Sequence, residues 1–169
     1  MPAPDGFAEF VTERSQALLR IAWLLTGDSG KAEDLLQTAL ARVWPRWHRI
    51  ASGGNPEAYV RRTMITTYVS WWRRRWRFEV PGEPPETGDR ADVAGDSATR
   101  DAVRRALAGL SRQQRAVVVL RYVEDLSVAE TAQLLGCSAG TVKVQAGRAL
   151  AALRTDPHLR LFVTEEVGS

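Results

Sequence analysis

The residue types that could do chemistry in this chain are concentrated in one short run, Trp71-Trp72-Arg73-Arg74-Arg75-Trp76-Arg77. Arginine grips phosphate through its planar guanidinium, and tryptophan offers an aromatic face on which an unpaired base can stack. Arg61 and Arg62 precede the run and extend the same basic surface. The pattern therefore predicts nucleic-acid binding. Cations at a helix C-terminus also favour the helix dipole, and the same composition would suit RNA or a membrane surface.

A second candidate site is a predicted helix-turn-helix. A short helix from Ala129 to Leu135 is followed by the turn Gly136-Cys137-Ser138 and by a second helix from Ala139 to Leu153. Gly136 can adopt the positive φ that such a turn requires. In this motif the early residues of the second helix meet base edges, and its basic flanks meet phosphates. The alternative is an ordinary helix pair without a ligand. The residues expected on the outer face are Ser138, Thr141, Lys143, Val144, Gln145 and Arg148.

Catalytic and metal-binding patterns are missing from the sequence. The chain has one cysteine, Cys137, and two histidines, His48 and His158, neither of which has a credible carboxylate partner in sequence. A lone cysteine excludes an internal disulfide, and this set cannot assemble a structural zinc site. There is also no glycine-rich phosphate loop. We therefore expect no enzymatic activity, no metal and no cofactor.

The charge of the chain is divided into blocks. Residues 1–78 and 98–155 each carry a net charge of +5, residues 79–97 carry −5, and residues 156–169 carry −2. Two basic blocks beside an acidic connector fit two units that each meet a polyanion, although two solvated charged faces would give the same pattern. The connector holds three prolines, three glycines and no apolar periodicity. It therefore predicts a flexible linker.

Membrane insertion and secretion are not expected. The longest apolar runs, such as Ala116–Leu120, have five residues, far fewer than the roughly 20 that cross a bilayer. Residues 1–10 carry two acidic side chains and no basic one, which is unlike a secretory signal. These features predict a cytoplasmic protein.

Apolar residues recur at helical intervals before the connector. One stripe runs from Phe7 to Leu25 and ends at Thr26-Gly27, and a second runs from Ala32 to Trp47. Asn55-Pro56 fits the N-cap and first position of a third helix, which should extend to about Trp76. No segment alternates as a strand would. The predicted class is therefore all-α.

Two capping boxes follow the connector. Ser111 to Gln114 and Ser127 to Glu130 each place a hydroxyl three residues before a Gln or Glu, a pattern typical of helix N-termini. In the helix-turn-helix, the apolar residues expected to face inward are Leu135, Val142, Ala149, Leu150 and Leu153.

Taken in order, these motifs resemble a bacterial RNA polymerase sigma factor of the compact extracytoplasmic-function (ECF) subfamily. Residues 32–44, AEDLLQTALARVW, resemble the family helix that docks on core polymerase, and residues 55–75 resemble the helix that melts and reads the −10 element. Residues 110–153 are similar to the domain that binds the −35 element. Its matching segments are Leu120-Arg121-Tyr122, Leu126-Ser127, Glu130-Thr131-Ala132, Leu135-Gly136-Cys137-Ser138 and Gly140-Thr141-Val142-Lys143.

The resemblance implies two small helical domains with separate partners. Residues 1–78 would bind core RNA polymerase and the −10 element, residues 98–155 would bind the −35 element of promoter DNA, residues 79–97 would link them, and residues 156–169 form a short tail. An anti-sigma protein is a further candidate partner. The implied polymerase contacts are Asp34, Leu35, Gln37, Thr38, Arg42 and Trp44. The implied −10 contacts are Asn55, Arg61, Arg62, Trp71, Trp72, Arg73, Arg74 and Arg75.

Two departures from the family pattern bear on specificity. Thr66 and Ser70 stand where the family often has Asn and Asp, and Val144-Gln145 replaces a frequent Ser-Arg pair. We therefore expect unusual base preferences. Because adjacent helical residues point about 100° apart, one of Trp71 and Trp72 should face the core and the other DNA. The alternative function is a stand-alone two-domain helix-turn-helix regulator that binds DNA without polymerase.

Overall fold

The computed structural model describes residues 3–76 and 97–157 of the chain. These residues form helices and turns without a strand, and they fall into two compact units, one on each side of the segment 77–96. The predicted all-α, two-unit architecture is thus confirmed. The predicted linker 79–97 lies outside the described residues except for Ser97, at which a helix already begins. The predicted tail 156–169 is described only as far as Pro157.

Four α-helices make up the described part of the first unit. They are α1 (Phe7–Thr26), α2 (Ser29–Val43), α3 (Trp47–Ser52) and α4 (Pro56–Trp76). Helix α2 packs against both α1 and α4, so it is the central element of the unit. The core lies where these three helices meet, and its fully buried side chains include Leu18, Leu25, Leu35, Val43, Val60 and Met64.

Local capping explains where the first two helices end and begin. Gly27 takes a left-handed conformation with φ of 70° and donates its N–H to the carbonyl of Trp23, which ends α1 at the predicted place. Asp28 then caps α2, with its Oδ1 accepting from the backbone N–H of Lys31 at 3.0 Å.

The second apolar stripe is not one helix, which corrects the prediction of a continuous stripe to Trp47. Helix α2 ends at Val43, a 3₁₀ turn covers Trp44–Arg46, and α3 starts at Trp47. Pro45 is the physical cause, because it has no N–H to donate and its ring clashes with the preceding turn. Val43 and Trp47 remain buried on either side of this break.

An aromatic cluster holds the start of α1 against this turn. The rings of Phe7 and Trp44 meet edge to face at 5.0 Å between centroids, and those of Phe7 and Trp47 at 5.3 Å. The indole Nε1 of Trp47 donates to the backbone carbonyl of Asp5 at 2.9 Å. These contacts fasten the N-terminal residues to the unit.

Four further α-helices make up the described part of the second unit. They are α5 (Ser97–Ala108), α6 (Arg112–Val118), α7 (Val128–Leu135) and α8 (Ala139–Arg154), with a π-helical turn at Val119–Val123. Helices α6 and α7 both pack against α8. Both predicted capping boxes are present, at Ser111 and at Ser127. Helix α5 has no counterpart among the predicted elements; its buried side chains include Ala102, Ala106 and Leu107.

One buried arginine closes the corner between α5 and α6. Arg115 is buried, and its Nε and Nη2 both donate to the carbonyl of Leu107, at 3.3 and 3.1 Å. This basic residue of the second block is therefore a structural group, since its guanidinium points into the unit.

Candidate polymerase and nucleic-acid interfaces

Helix α8 turns a smooth face of small and basic residues to solvent. Its exposed positions repeat at intervals of three and four, so they lie along one side of the helix. Val144 is 51% exposed, and a Cβ added at Gly147 would meet no atom within 4 Å. Because several side chains on this face are short, the helix backbone can come close to the floor of a groove. Its members are Gly140, Lys143, Val144, Gly147, Arg148 and Ala151.

The N-terminus of α8 is shaped by a cap. The Oγ of Ser138 accepts from the backbone N–H of Thr141 at 3.1 Å, and the two hydroxyl oxygens are 2.9 Å apart. Ser138 and Thr141 are therefore engaged with each other within the protein. Gly136 has a φ of 68°, as the predicted turn requires. Gln145 is half-buried at the edge of the exposed face.

The inner side of α8 largely matches the sequence prediction. Val142 and Ala149 are fully buried, and Leu135 of α7 is buried beside them. Leu150 and Leu153 are only half-buried. Helix α8 is thus anchored by its first three turns, which are the turns that carry Lys143, Val144 and Gln145.

The outer side of α2 is polar. Glu33, Asp34, Gln37 and Ala41 are exposed, and Thr38 is half-buried beside them. Leu35, in contrast, is 0% exposed and packs in the core. The prediction of Leu35 as a polymerase contact is therefore wrong, because its side chain points to the opposite side of the helix from Asp34 and Gln37.

Two other predicted polymerase contacts of this region have partners inside the chain. The Nη1 of Arg42 donates to the Oγ1 of Thr67 on α4 at 2.9 Å. Trp44 is half-buried, with its ring in edge-to-face contact with that of Phe7. Arg42 therefore links two helices, and Trp44 borders the polar face of α2.

Two predicted −10 contacts are likewise engaged within the first unit. Asn55 caps α4, with its Oδ1 accepting from the backbone N–H of Ala58 at 3.1 Å. Arg61 pairs with Glu57 at 3.0 Å, and Glu57 also lies 3.7 Å from Arg14 of α1. The Nε of Arg61 is buried without a hydrogen-bond partner. Asn55 thus starts α4 and Arg61 pairs within α4, while the contact to α1 is made by Glu57.

Helix α4 has a buried arc and an exposed arc. At about 100° per residue, Trp71 and Trp72 fall within the arc that contains Val60, Met64 and Tyr68. Both indoles are half-buried, so the predicted division into one core and one outward tryptophan is not observed. The side chain of Arg75 lies outside the described residues. The exposed arc carries Tyr59, Arg62, Thr66, Arg73 and Arg74.

A shallow depression lies between α3 and the start of α4. Its volume is about 250 Å³, and it is open on one side. Tyr59, 41% exposed, supplies an aromatic face, and two exposed arginines supply positive charge. Asn55 is the one lining residue that was predicted as a site residue. The sequence feature that could have indicated this depression is the pair of arginines, Arg46 and Arg49, three residues apart and just before the Gly53-Gly54 turn. The lining residues are Arg46, Arg49, Ile50, Gly53, Asn55 and Tyr59.

Comparison with known proteins identifies the two units. Residues 10–78 match the family model of sigma-70 region 2, and residues 100–153 match that of sigma-70 region 4. RNA polymerase sigma-E factor of Streptomyces coelicolor is 47% identical over 150 residues, which cover 89% of this chain and 85% of that protein. ECF RNA polymerase sigma factor SigL of Mycobacterium tuberculosis is 33% identical over 147 residues, which cover 84% and 83% of the two chains.

The chain belongs to the ECF family of RNA polymerase sigma factors. The predicted function in transcription initiation is thereby confirmed, and core RNA polymerase and promoter DNA are the partners on which a sigma factor acts. The fold of this sigma factor is similar to that of RpoE in the co-crystal structure with the anti-sigma factor NepR from Bartonella quintana. That likeness has a TM-score of 0.57 and 24% sequence identity, and it covers 89% of this chain and 96% of that one.

The described part of this sigma factor offers neither a metal site nor a membrane span. Within residues 3–76 and 97–157, no group of three His, Cys, Asp or Glu side chains is placed to hold a metal ion. Over the same residues, none of the helices combines the length and the hydropathy needed to span a bilayer.

Proposed function

We propose that the two units of this sigma factor divide promoter recognition between them. The second unit, residues 98–155, reads the duplex −35 element through α8. The first unit, residues 1–78, binds core polymerase through the polar side of α2 and holds the −10 element through α4 and the depression beside it. The observation that carries this proposal is the exposed face of α8, whose small and basic residues suit a helix inserted in a groove.

The −35 assignment rests on the chemistry of that face. The major groove distinguishes all four base pairs by donors, acceptors and the thymine methyl group. Val144 can contact a thymine methyl, and Gln145 can pair with adenine. Lys143 and Arg148 carry the charge that phosphates require. The capped N-terminus adds backbone N–H groups that favour an anion.

The −10 assignment rests on α4 and the depression. Bases of a melted strand must be held out of the stack, and aromatic side chains supply about 1–3 kcal/mol per base by stacking. Tyr59 offers such a face, with Arg46 and Arg49 beside it for the adjoining phosphates. Arg62 and Arg73 extend the positive charge along the exposed arc of α4. This surface suits single-stranded DNA better than duplex DNA. It is concave and can surround a separated base, whereas an element that enters a duplex groove must be narrow.

The polymerase assignment rests on the exposed side of α2. Asp34 and Gln37 lie one turn apart there, while the opposite side of α2 is fixed in the core. The partner would therefore meet a rigid surface. Thr38 and Trp44 border it and belong to the same proposal.

A paired substitution tests the polymerase face. Asp34→Ala with Gln37→Ala should weaken core binding in a titration and leave the helical circular dichroism unchanged. The matched control is Glu13→Ala with Gln16→Ala, since these are the corresponding residue types at exposed positions of α1. Equal affinity of both double variants for core polymerase would refute the assignment of α2.

Footprinting separates this proposal from a stand-alone regulator. A sigma factor divided in this way should protect the −35 and −10 elements only when core polymerase is present. Protection of promoter DNA by the chain alone, at the same concentration, would favour the regulator. We further propose that the chain acts in the cytoplasm and adds no catalytic group to the polymerase. An anti-sigma protein stays a prediction, which co-purification of the chain from its own cells would test.

A further inference from the structure

Arg42 begins a pair of consecutive hydrogen bonds that connects α2 to α4. Its Nη1 donates to the Oγ1 of Thr67 at 2.9 Å, and that hydroxyl donates in turn to the carbonyl of Thr63 at 2.6 Å. Thr67 is 0% exposed, so water does not compete at this hydroxyl. Arginine does not lose its proton, so it always donates. The donor and the acceptor of both hydrogen bonds are therefore fixed.

These two hydrogen bonds lie in the interface between α2 and α4, which is otherwise apolar. Ala39 and Val43 of α2 are fully buried, as are Val60 and Met64 of α4. Apolar contacts are non-directional, so they hold two helices together without strongly favouring one register. A charge-assisted hydrogen bond to a buried hydroxyl is directional and penalises any shift that breaks it. The bond from Arg42 therefore selects one placement of α4 against α2.

We propose that Arg42 is a positioning residue for promoter opening. It acts through Thr67 and holds the exposed arc of α4 at one place relative to the polymerase side of α2, rather than contacting polymerase itself. The inference rests on the proposed roles of these two helices. It reassigns a residue that the family resemblance places among the polymerase contacts.

Two single substitutions remove opposite ends of the same bond. Arg42→Met keeps the length of the side chain and removes the donor, and Thr67→Val keeps the volume and removes the acceptor. Arg20→Met is the control, since Arg20 is an exposed arginine of α1 with no proposed role. Each variant is measured in three ways: core-polymerase affinity, opening of a duplex promoter by permanganate reactivity, and transcription from a pre-melted bubble.

We expect both substitutions to leave core affinity within about twofold and to reduce opening of duplex DNA by about tenfold, as loss of one hydrogen bond to a charged group predicts. The pre-melted bubble should restore transcription in both. The double variant should open DNA no worse than either single variant, because the two side chains form one interaction. Arg20→Met should match the unsubstituted chain.

Three outcomes would overturn the proposal. Weak core binding by Arg42→Met, with Thr67→Val unaffected, would make Arg42 a direct polymerase contact. Equal losses in core affinity, duplex opening and bubble transcription, together with a lower melting temperature, would leave the bond a purely structural role. Additive losses in the double variant would show that the two side chains act separately.

Failure of the proposed roles is distinguishable in the same experiment. If the unsubstituted chain did not bind core polymerase or open the promoter, the proposed function itself would fail. If it did both but the Asp34 and Gln37 double variant bound core normally, only the polymerase face would be misplaced. The comparison of Arg42→Met with Thr67→Val would remain informative in that case.

Discussion

Helices α4 and α8 are both proposed to meet promoter DNA, but they present their residues differently. The outer face of α8 is a row of small residues with Lys143 and Arg148 exposed among them. Helix α4 is fixed in a three-helix bundle, where Arg61 is paired with Glu57 and Thr67 accepts a bond from Arg42. Helix α8 therefore presents an exposed row of side chains by itself, whereas α4 forms only part of a surface that it shares with neighbouring helices.

The difference fits the partner that is proposed for each helix. A duplex offers information at the floor of a groove, so its reader must be narrow and must protrude. A separated strand has flexible bases, so its binding surface must be preorganised and partly concave. The bond from Arg42 to Thr67 is consistent with this second requirement, since it fixes α4, which carries Tyr59, against α2.

The largest effect that would test this comparison is expected at the end of α4. Trp71→Ala and Trp72→Ala should each lower the free energy of unfolding by about 2–3 kcal/mol, because full burial of such a ring is worth about 3–5 kcal/mol and both rings are half-buried. Chemical denaturation followed by circular dichroism measures the change. A variant that stays stable, binds polymerase, and transcribes from a bubble but not from duplex DNA would identify a stacking platform instead. Two stable variants that open DNA normally would contradict both roles.

The next effect is expected in base preference at α8. Gln145→Ala should change which −35 sequence is preferred, by about 1–3 kcal/mol at the misread pair. Binding of the polymerase complex to a set of −35 variants measures this preference. Gln133→Ala, at an exposed position of α7, is the matched control and should leave the preference unchanged. An equal loss on every sequence would remove Gln145 from the readers.

A smaller and uniform effect is expected for Lys143. Lys143→Ala should weaken binding to all −35 variants alike and reduce the slope of log K against log salt by about one, since one phosphate contact is lost. Affinity measured at several salt concentrations tests this. An unchanged slope, or a loss confined to one sequence, would show that Lys143 does not contact phosphate.

The smallest effect is expected for Arg61. Arg61→Ala should lower stability by less than about 1 kcal/mol, as partly exposed ion pairs do, and should leave DNA binding nearly unchanged. Arg62→Ala is the matched comparison, because Arg62 is exposed on α4 and should weaken promoter binding. Thermal melts and promoter titrations of the two variants decide between these roles. Weaker promoter binding by Arg61→Ala than by Arg62→Ala would mean that its pairing with Glu57 yields to DNA.

Local features of the first and second units were predictable because their causes lie within a few residues. The caps at Ser111, Ser127 and Ser138 depend on an oxygen and an N–H three residues apart. Gly27 and Gly136 stop helices because glycine adopts positive φ at little cost. Pro45 shows the limit of this reasoning, since the apolar stripe continues across it and conceals the break.

The family was predictable for a different reason. The motifs of α2, α4 and the helix-turn-helix occur in order along the chain, and linear order is a property of the sequence itself. The order of the motifs does not show which side chains of a motif face the partner, and Leu35 is an example. A family helix that docks on a partner has an inner and an outer side, and the packing against α1 and α4 places Leu35 on the inner one.

The sequence by itself determined the helical class, most helix boundaries, the helix-turn-helix and the sigma-factor family. Only the tertiary structure decided that Arg42 bonds to Thr67, that Glu57 pairs with Arg14 of α1, and that Arg46 and Arg49 share a depression with Tyr59. The physical reason is distance along the chain. Caps and turns are formed by neighbours in sequence, whereas Arg42 and Thr67 are 25 residues apart and meet only because α2 and α4 pack together.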